Sequence, residues 1–265
     1  MKKGPKRGHF SRSRSLGDFN KKFGNNNDVQ KMIGKALSTG KSVRVLEIGC
    51  GEGRVLMELR KLFPTIELHG INKEPWEAMK GSVSLKDTAL HYKIFKSNEL
   101  KPIFVPKIHF YDAKELDFPD NYFDLVISQV AIQYVPRKDL LLEEVWRTLK
   151  LNGKALLNID GINKNMPDFM NFETPRFIIY KKGTFYPVQK LITNLRKKGF
   201  NIVYSSSTKR EQKKKRVNLI ITKNTAKKLK LNLKFEELSS FNLGIINQEK
   251  DKWSVFWGYR SVYRI

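Results

Sequence analysis

The stretch from Val43 to Leu59, Val-Arg-Val-Leu-Glu-Ile-Gly-Cys-Gly-Glu-Gly-Arg-Val-Leu-Met-Glu-Leu, constrains the fold more than any other part of the chain. Its first six residues form an apolar run of the kind found in strands buried on both faces of a parallel sheet. The run carries Glu47 near its end and passes into Gly49, Cys50, Gly51, Glu52 and Gly53. A helical pattern follows, with Val55, Leu56, Leu59, Leu62 and Phe63 on one face. A strand that turns into a helix through alternating glycines brings bare backbone against a ligand. An acid at the strand end can accept hydrogen bonds from a cationic or hydroxylated ligand. A side chain added at Gly49 or Gly51 is expected to fill the room that ligand needs.

The remaining pattern alternates strands and helices. Ile66 to Ile71 reads as a second strand, ending at Asn72 and Lys73. Residues 73–106 are long for a simple connection and are read as a helix plus an inserted loop. Ile108 to Tyr111 is a third strand, followed by Asp112 and Ala113. Phe118, Pro119 and Asp120 form a turn into a fourth strand at Phe123 to Ile127, with Ser128 and Gln129 at its end. Lys138 to Leu149 is an amphipathic helix, and Asn152-Gly153 supplies the turn before a fifth strand. Residues 161–186 look irregular. A helix from Val188 to Lys198 stops at Gly199, and Phe200 to Tyr204 and Val217 to Thr222 read as the last two strands.

The spacing Glu47-x-Gly49-x-Gly51-x-Gly53 resembles motif I of the class I S-adenosylmethionine methyltransferases. It differs from the dinucleotide fingerprint, whose third glycine would fall at Arg54. The fourth-strand segment from Phe118 to Ser128 and the Leu149 to Asn158 turn-and-strand segment are similar to the same family, in its broad type 11 group. The resemblance covers about residues 40–223. It implies an α/β fold: a doubly wound, mostly parallel, Rossmann-like sheet of seven strands with S-adenosylmethionine bound at the strands' carboxyl ends. It implies cofactor contacts from Glu47, Gly49, Cys50, Gly51, Gly53, Lys73, Asp112, Ala113, Ser128 and Gln129. The acid after the third strand is expected to meet the adenine amino group. In the family an acid at the position of Asn72 holds both ribose hydroxyls. An amide there can accept one hydroxyl but has no charge to strengthen the contact. Ser128, Gln133 and Tyr134 stand where the family places groups near the methyl acceptor.

Composition sets the boundaries. The chain has 265 residues and a net charge of +25, unevenly placed. Residues 1–28 hold eight basic and two acidic side chains, residues 29–179 hold 22 and 19, and residues 180–265 hold 21 and five. The division expected is therefore a basic, unstructured segment over 1–28, the methyltransferase domain over 29–223, and a basic, aromatic extension over 224–265. Flanking charge suits a polyanion, so RNA is the expected partner, through Lys209 to Arg216 and the terminal extensions. Genomic enrichment of Lys, Asn and Ile is the competing account. The aromatic tail from Trp253 to Ile265 reads equally as base-stacking rings or as an added edge strand.

Several classes fall away. No apolar run approaches the roughly 20 residues that cross a bilayer, so no membrane association is expected. The N-terminus lacks a secretory pattern, which points to the cytoplasm, with import into an organelle also compatible with its basic start. Cys50 is the only cysteine, which leaves no intrachain disulfide and no covalent cytosine-methylation nucleophile. Ser128-Gln129-Val130-Ala131 stands where exocyclic adenine methylases carry Asp/Asn-Pro-Pro-Tyr/Phe. His9, His69, His91 and His109 show no metal-ligand spacing, and no metal is expected. The reading is methyl transfer to a nitrogen or oxygen nucleophile, on RNA. The alternatives are a small metabolite or a protein side chain as acceptor, an RNA-binding scaffold on a degenerate core, and a Rossmann oxidoreductase.

Overall fold

The computed structural model describes residues 14–72, 84–100, 105–129, 131–132, 135, 138–159, 178–181, 184–205 and 217–231. The elements in chain order are α1 (Leu16–Phe23), α2 (Val29–Ser38), β1 (Arg44–Ile48), α3 (Arg54–Leu62), β2 (Glu67–Asn72), α4 (Leu85–His91), β3 (Lys107–Phe110) and β4 (Phe123–Gln129). They continue with α5 (Lys138–Thr148), β5 (Leu149–Ile159), β6 (Ile178–Lys181), β7 (Thr184–Pro187), α6 (Val188–Lys197), β8 (Asn201–Ser205) and β9 (Val217–Thr222).

Seven strands form one sheet in the order β3-β2-β1-β4-β5-β9-β8. The first five run parallel, and β9 lies antiparallel between β5 and β8. The order reverses at β1 and β4, which are paired through Val45–Leu125, Leu46–Val126 and Glu47–Ile127. In an open α/β sheet that switch point opens a crevice at the strands' carboxyl ends. The doubly wound seven-stranded expectation is therefore met. A β6–β7 hairpin stands apart from the sheet, in a stretch whose turn residues and aromatics suggest only irregular chain.

Alternation along the strands divides the core into two layers. Leu46, Ile48, Val126, Ala155, Leu157, Leu219 and Ile221 face α5 and α6, packing with Leu141, Leu142, Val145, Trp146 and Leu195. Val43, Val45, Leu68, Leu125, Ile127 and Leu156 face the other way, against α1, α2 and α3. Burying one such large apolar side chain contributes about 1.5–3 kcal/mol.

The domain begins earlier than charge alone suggests. Ser15 and Asp18 form a capping box that starts α1, and Leu16, Phe19 and Phe23 turn one face into the second layer. Lys22 on the same helix is buried too. Its Nζ donates to Asn158 Oδ1 at 3.1 Å, Asn158 Nδ2 donates to Asn218 Oδ1 at 2.7 Å, and Asn218 Nδ2 returns to the Lys22 carbonyl at 2.6 Å. This circuit fixes α1 across β5 and β9. Residues 16–28 thus belong to the folded domain, a correction to the boundary at 29. The far boundary moves as well. Lys223 Nζ donates to Asn121 Oδ1 and to the carbonyls of Arg147 and Leu149, closing the end of α5. Beyond it, Leu229 is buried, Trp146 Nε1 donates to the Lys227 carbonyl, and Leu231 N donates to Glu143. Residues 224–231 are a strap on the domain; residues 1–13 and 232–265 lie outside the described residues.

At the amino end of the sheet a polar network joins β1, β2, β3 and the turn before β4. Glu67 accepts from His69 Nε2 at 2.7 Å, from Tyr122 Oη at 2.7 Å and from Arg44 Nε at 3.0 Å. With neutral rings, that bond makes His109 Nε2 the donor to His69 Nδ1, 3.0 Å away. Burial works to raise the Glu67 carboxyl, but the bonds from His69, Tyr122 and Arg44, with the His69 charge added once that ring protonates at low pH, outweigh it and hold it at about 2. A carboxyl lowered in the native state stabilises it fully above 4.5, and that contribution is lost as the pH falls toward 2. Glu67→Gln is therefore expected to destabilise the protein at pH 7, with the difference from the parent shrinking between pH 4.5 and 2. Urea unfolding of both proteins across that range measures it; a difference independent of pH would refute the assignment.

Candidate active site: the glycine turn at the carboxyl ends of β1 and β4

The turn between β1 and α3 is shaped by three left-handed glycines, with φ of 69° at Gly49, 54° at Gly51 and 73° at Gly53. Side chains other than glycine rarely adopt such angles. The end of β2 supplies the template. The Ile71 carbonyl accepts from Gly49 N at 2.7 Å and from Cys50 N at 3.1 Å. Asn72 continues the pattern with its side chain: Gly51 N donates to Oδ1 at 2.9 Å, and Nδ2 donates to the Gly51 carbonyl at 3.0 Å. Gly53 N then closes back on the Cys50 carbonyl at 2.8 Å, and α3 begins.

The glycines are not equivalent. A Cβ at Gly49 would collide with the Ala131 side chain just past β4, and one at Gly53 with Leu85 of α4. A Cβ at Gly51 meets nothing within 4 Å. Gly49 and Gly53 let neighbouring segments close in; Gly51 leaves an open cradle.

Around that cradle several buried polar atoms lack a partner among the described residues. Glu47 is 5% exposed, and its Oε2 has none. It lies on the face shared with Val43 and Val45, and burial, with Glu58 adding repulsion, pushes its carboxyl well up. Glu52 is likewise 5% exposed; both its oxygens lack partners, and burial raises it to about 7. Gln129 Nε2, at the end of β4, is a buried donor without an acceptor. Unsatisfied buried groups cost about 1–3 kcal/mol each, so such a cluster at an open turn fits a polar, cationic ligand. Cys50 is buried, and its thiol is pushed well up by burial and then by Glu47, so it is not a nucleophile.

The other expected residues divide. Asp112 lies just past β3, half-buried; Oδ1 accepts from Lys114 N at 3.1 Å and Lys114 Nζ stands 4.0 Å from Oδ2. Ala113 is packed into the core. Ser128 departs from expectation: it is fully buried, and its Oγ donates to the Ile48 carbonyl at 2.8 Å. It stitches β4 to β1. Asn72, expected at the ribose, is directed at Gly51 instead. Lys73, Gln133 and Tyr134 lie outside the described residues. Glu52 is the residue the motif did not single out. Its only signal was an ionisable side chain between two glycines, and burial of that side chain is not written in the spacing.

A parallel sheet with this switch point and this turn is the class I S-adenosylmethionine-methyltransferase fold. Residues 46–157 match the model of a methyltransferase domain family, type 11. Among curated relatives, a sterol 4-C-methyltransferase of Caenorhabditis elegans is 27% identical over 141 residues, covering 53% of this chain and 38% of that protein. The chloroplastic 2-methyl-6-phytyl-1,4-hydroquinone methyltransferase of Arabidopsis thaliana is 31% identical over 115 residues, covering 43% of this chain and 29% of that protein. The chain thus spans well under half the length of these relatives. Among solved structures, a phosphoethanolamine N-methyltransferase of Haemonchus contortus with bound S-adenosyl-L-methionine aligns with a TM-score of 0.45 and 21% identity, over 75% of this chain and 44% of that one.

The glycines offer a test. Gly51→Val places its branches in the open cradle and is expected to fold, with a backbone cost of about 1–2 kcal/mol, while losing cofactor binding. Gly49→Val meets Ala131 and is expected to lose fold stability as well. Calorimetric titration with S-adenosylhomocysteine, beside thermal melts, reads both; unchanged affinity in folded Gly51→Val would remove the cradle from the site.

Proposed function

We propose that this chain is an S-adenosylmethionine-dependent methyltransferase that methylates a nitrogen or oxygen nucleophile on RNA. The observation that carries the methyltransferase part is the open Gly51 cradle together with the unpartnered buried atoms at this end of the sheet, Glu47 Oε2, both Glu52 oxygens and Gln129 Nε2. The cofactor supplies an electrophilic methyl on a cationic sulfonium. The chain's own task is to hold that cation beside buried carboxyls, to keep the turn in place and to exclude water. Glu47 and Glu52, whose carboxyls burial raises, offer acceptor oxygens whose ionisation a bound cation would favour, and Gln129 supplies a donor at the end of β4.

The RNA part is supported by charge placement. The segment that holds the site carries 22 basic and 19 acidic residues over 29–179, whereas the flanks carry 29 basic and seven acidic. A polyanion would be gripped beside the site rather than in it. A second reading, a small apolar acceptor, is favoured by the sterol and hydroquinone methyltransferases among the relatives.

Tritiated methyl transfer from S-adenosylmethionine onto separated RNA, protein and small-molecule fractions decides between them. RNA labelling is expected, with affinity falling steeply as salt rises. Replacing Lys213, Lys214, Lys215 and Arg216 by Ala is expected to flatten that slope by about one unit per lost phosphate contact, leaving cofactor affinity unchanged. Label confined to a lipid-soluble fraction, or RNA binding insensitive to salt, would replace RNA with the small-molecule acceptor.

A further inference from the structure

We propose that Asn72 is a positioning residue that locks the Gly51 peptide in the cofactor-binding conformation, and that it is not the ribose ligand its place in the motif implies. The inference deepens the cofactor reading above and rests on it.

Three observations carry it. Asn72 is 3% exposed at the last position of β2. Its amide makes a two-point pairing with one peptide unit's neighbours, accepting from Gly51 N at 2.9 Å and donating to the Gly51 carbonyl at 3.0 Å. Gly51 is the one glycine of the turn whose Cβ position faces open space, so the peptide that Asn72 grips is the one that borders the cradle. Gly49 and Cys50 are held by backbone through the Ile71 carbonyl. Among the described residues Gly51 is held by side chains, the Asn72 amide and, at 4.0 Å, the Cys50 thiol.

The chemistry of the side chain makes the role specific. A carboxamide accepts from an N–H and donates to a carbonyl on the same residue with one planar group, whatever the pH; a carboxyl can do so only when protonated. An ionised carboxylate, the group the family resemblance implies here, could keep the bond from Gly51 N. It would set its second oxygen against the Gly51 carbonyl, acceptor against acceptor, in a buried site. The asparagine is thus a change of role, from gripping the ligand to gripping the turn. Asn72→Asp restores the family's acid and is expected to weaken the site.

The test uses the full chain with Asn72→Asp and Asn72→Ala, and two readouts. In the ligand-free protein, amide hydrogen exchange at Gly51 is expected to rise roughly tenfold or more in Asn72→Ala, from loss of one buried bond. Exchange at Gly49 and Cys50, bonded to Ile71, is expected to stay near the parent's. In the second readout, S-adenosylhomocysteine and its 2′-deoxy and 3′-deoxy analogues are titrated into parent and variants. Both variants are expected to lose affinity by the same factor, roughly tenfold or more, for all three ligands. Three results overturn the proposal: unchanged Gly51 exchange, a loss that vanishes with either deoxy analogue, or Asn72→Asp binding as tightly as the parent. The first two place Asn72 on the ribose or nowhere, while the parent's own binding keeps the cofactor reading. A parent that binds no S-adenosylhomocysteine overturns that reading and this proposal together.

Discussion

The Ile71 carbonyl at the end of β2 accepts two hydrogen bonds, from Gly49 N and Cys50 N, and the site depends on that shared acceptor. The bonds turn β1 sharply out of the sheet. The turn then requires left-handed backbone at three residues, which only glycine supplies cheaply. Once the direction is set, α3 starts with Gly53 as its N-terminal residue and no side-chain cap. The helix is held instead by packing: Val55, Leu56 and Leu59 in the layer under the sheet, and Met57 against Leu85, Ala89 and Phe95. Arg54 and Glu58 pair at 2.9 Å, and Glu58 reaches across to accept from Leu16 N. The first helix of the chain is therefore anchored on the helix that the turn launches.

Charge follows the same geometry. The sheet's two ends carry opposite solutions to burial. At the amino end, Glu67 is held ionised by three donors, and its partners are held in turn. At the carboxyl end, Glu47 Oε2 and both Glu52 oxygens are buried without donors among the described residues, and both carboxyls are driven toward the neutral form. A structural carboxylate is satisfied by protein, whereas a functional one is left to be satisfied by what binds. The contrast within one sheet locates the site without reference to any motif.

Much of this was legible in the sequence. The apolar run from Val43, the three glycines and the periodic helix specify a strand–turn–helix unit locally, and repeated strand–helix alternation leads to a parallel sheet. What was not legible depended on direction. A hydroxyl at a strand end reads the same whether it faces a cleft or bonds a neighbour, and Ser128 turned to Ile48. An amide at the end of β2 reads as a diminished acid until its partner, Gly51, is seen. Helix α1 was hidden by averaging charge over a segment: Lys21 and Lys22 counted toward a basic flank, although Lys22 is buried. The signals for the helix were present in Ser15 and Asp18 three residues apart and in the spacing of Leu16, Phe19 and Phe23.

The circuit of Lys22, Asn158 and Asn218 spans 196 residues of sequence between its first and last members. Its order of assembly is imposed by synthesis. Helix α1 leaves the ribosome before β9, so its polar seal cannot close until β9, the last described strand of the sheet in chain order, has been made and inserted between β5 and β8. Through that interval Leu16, Phe19 and Phe23 have no finished sheet to cover them. Loop closure on this scale is slow and exposes apolar surface while it waits. The seal of α1 on the sheet thus waits for β9, whose Asn218 completes it.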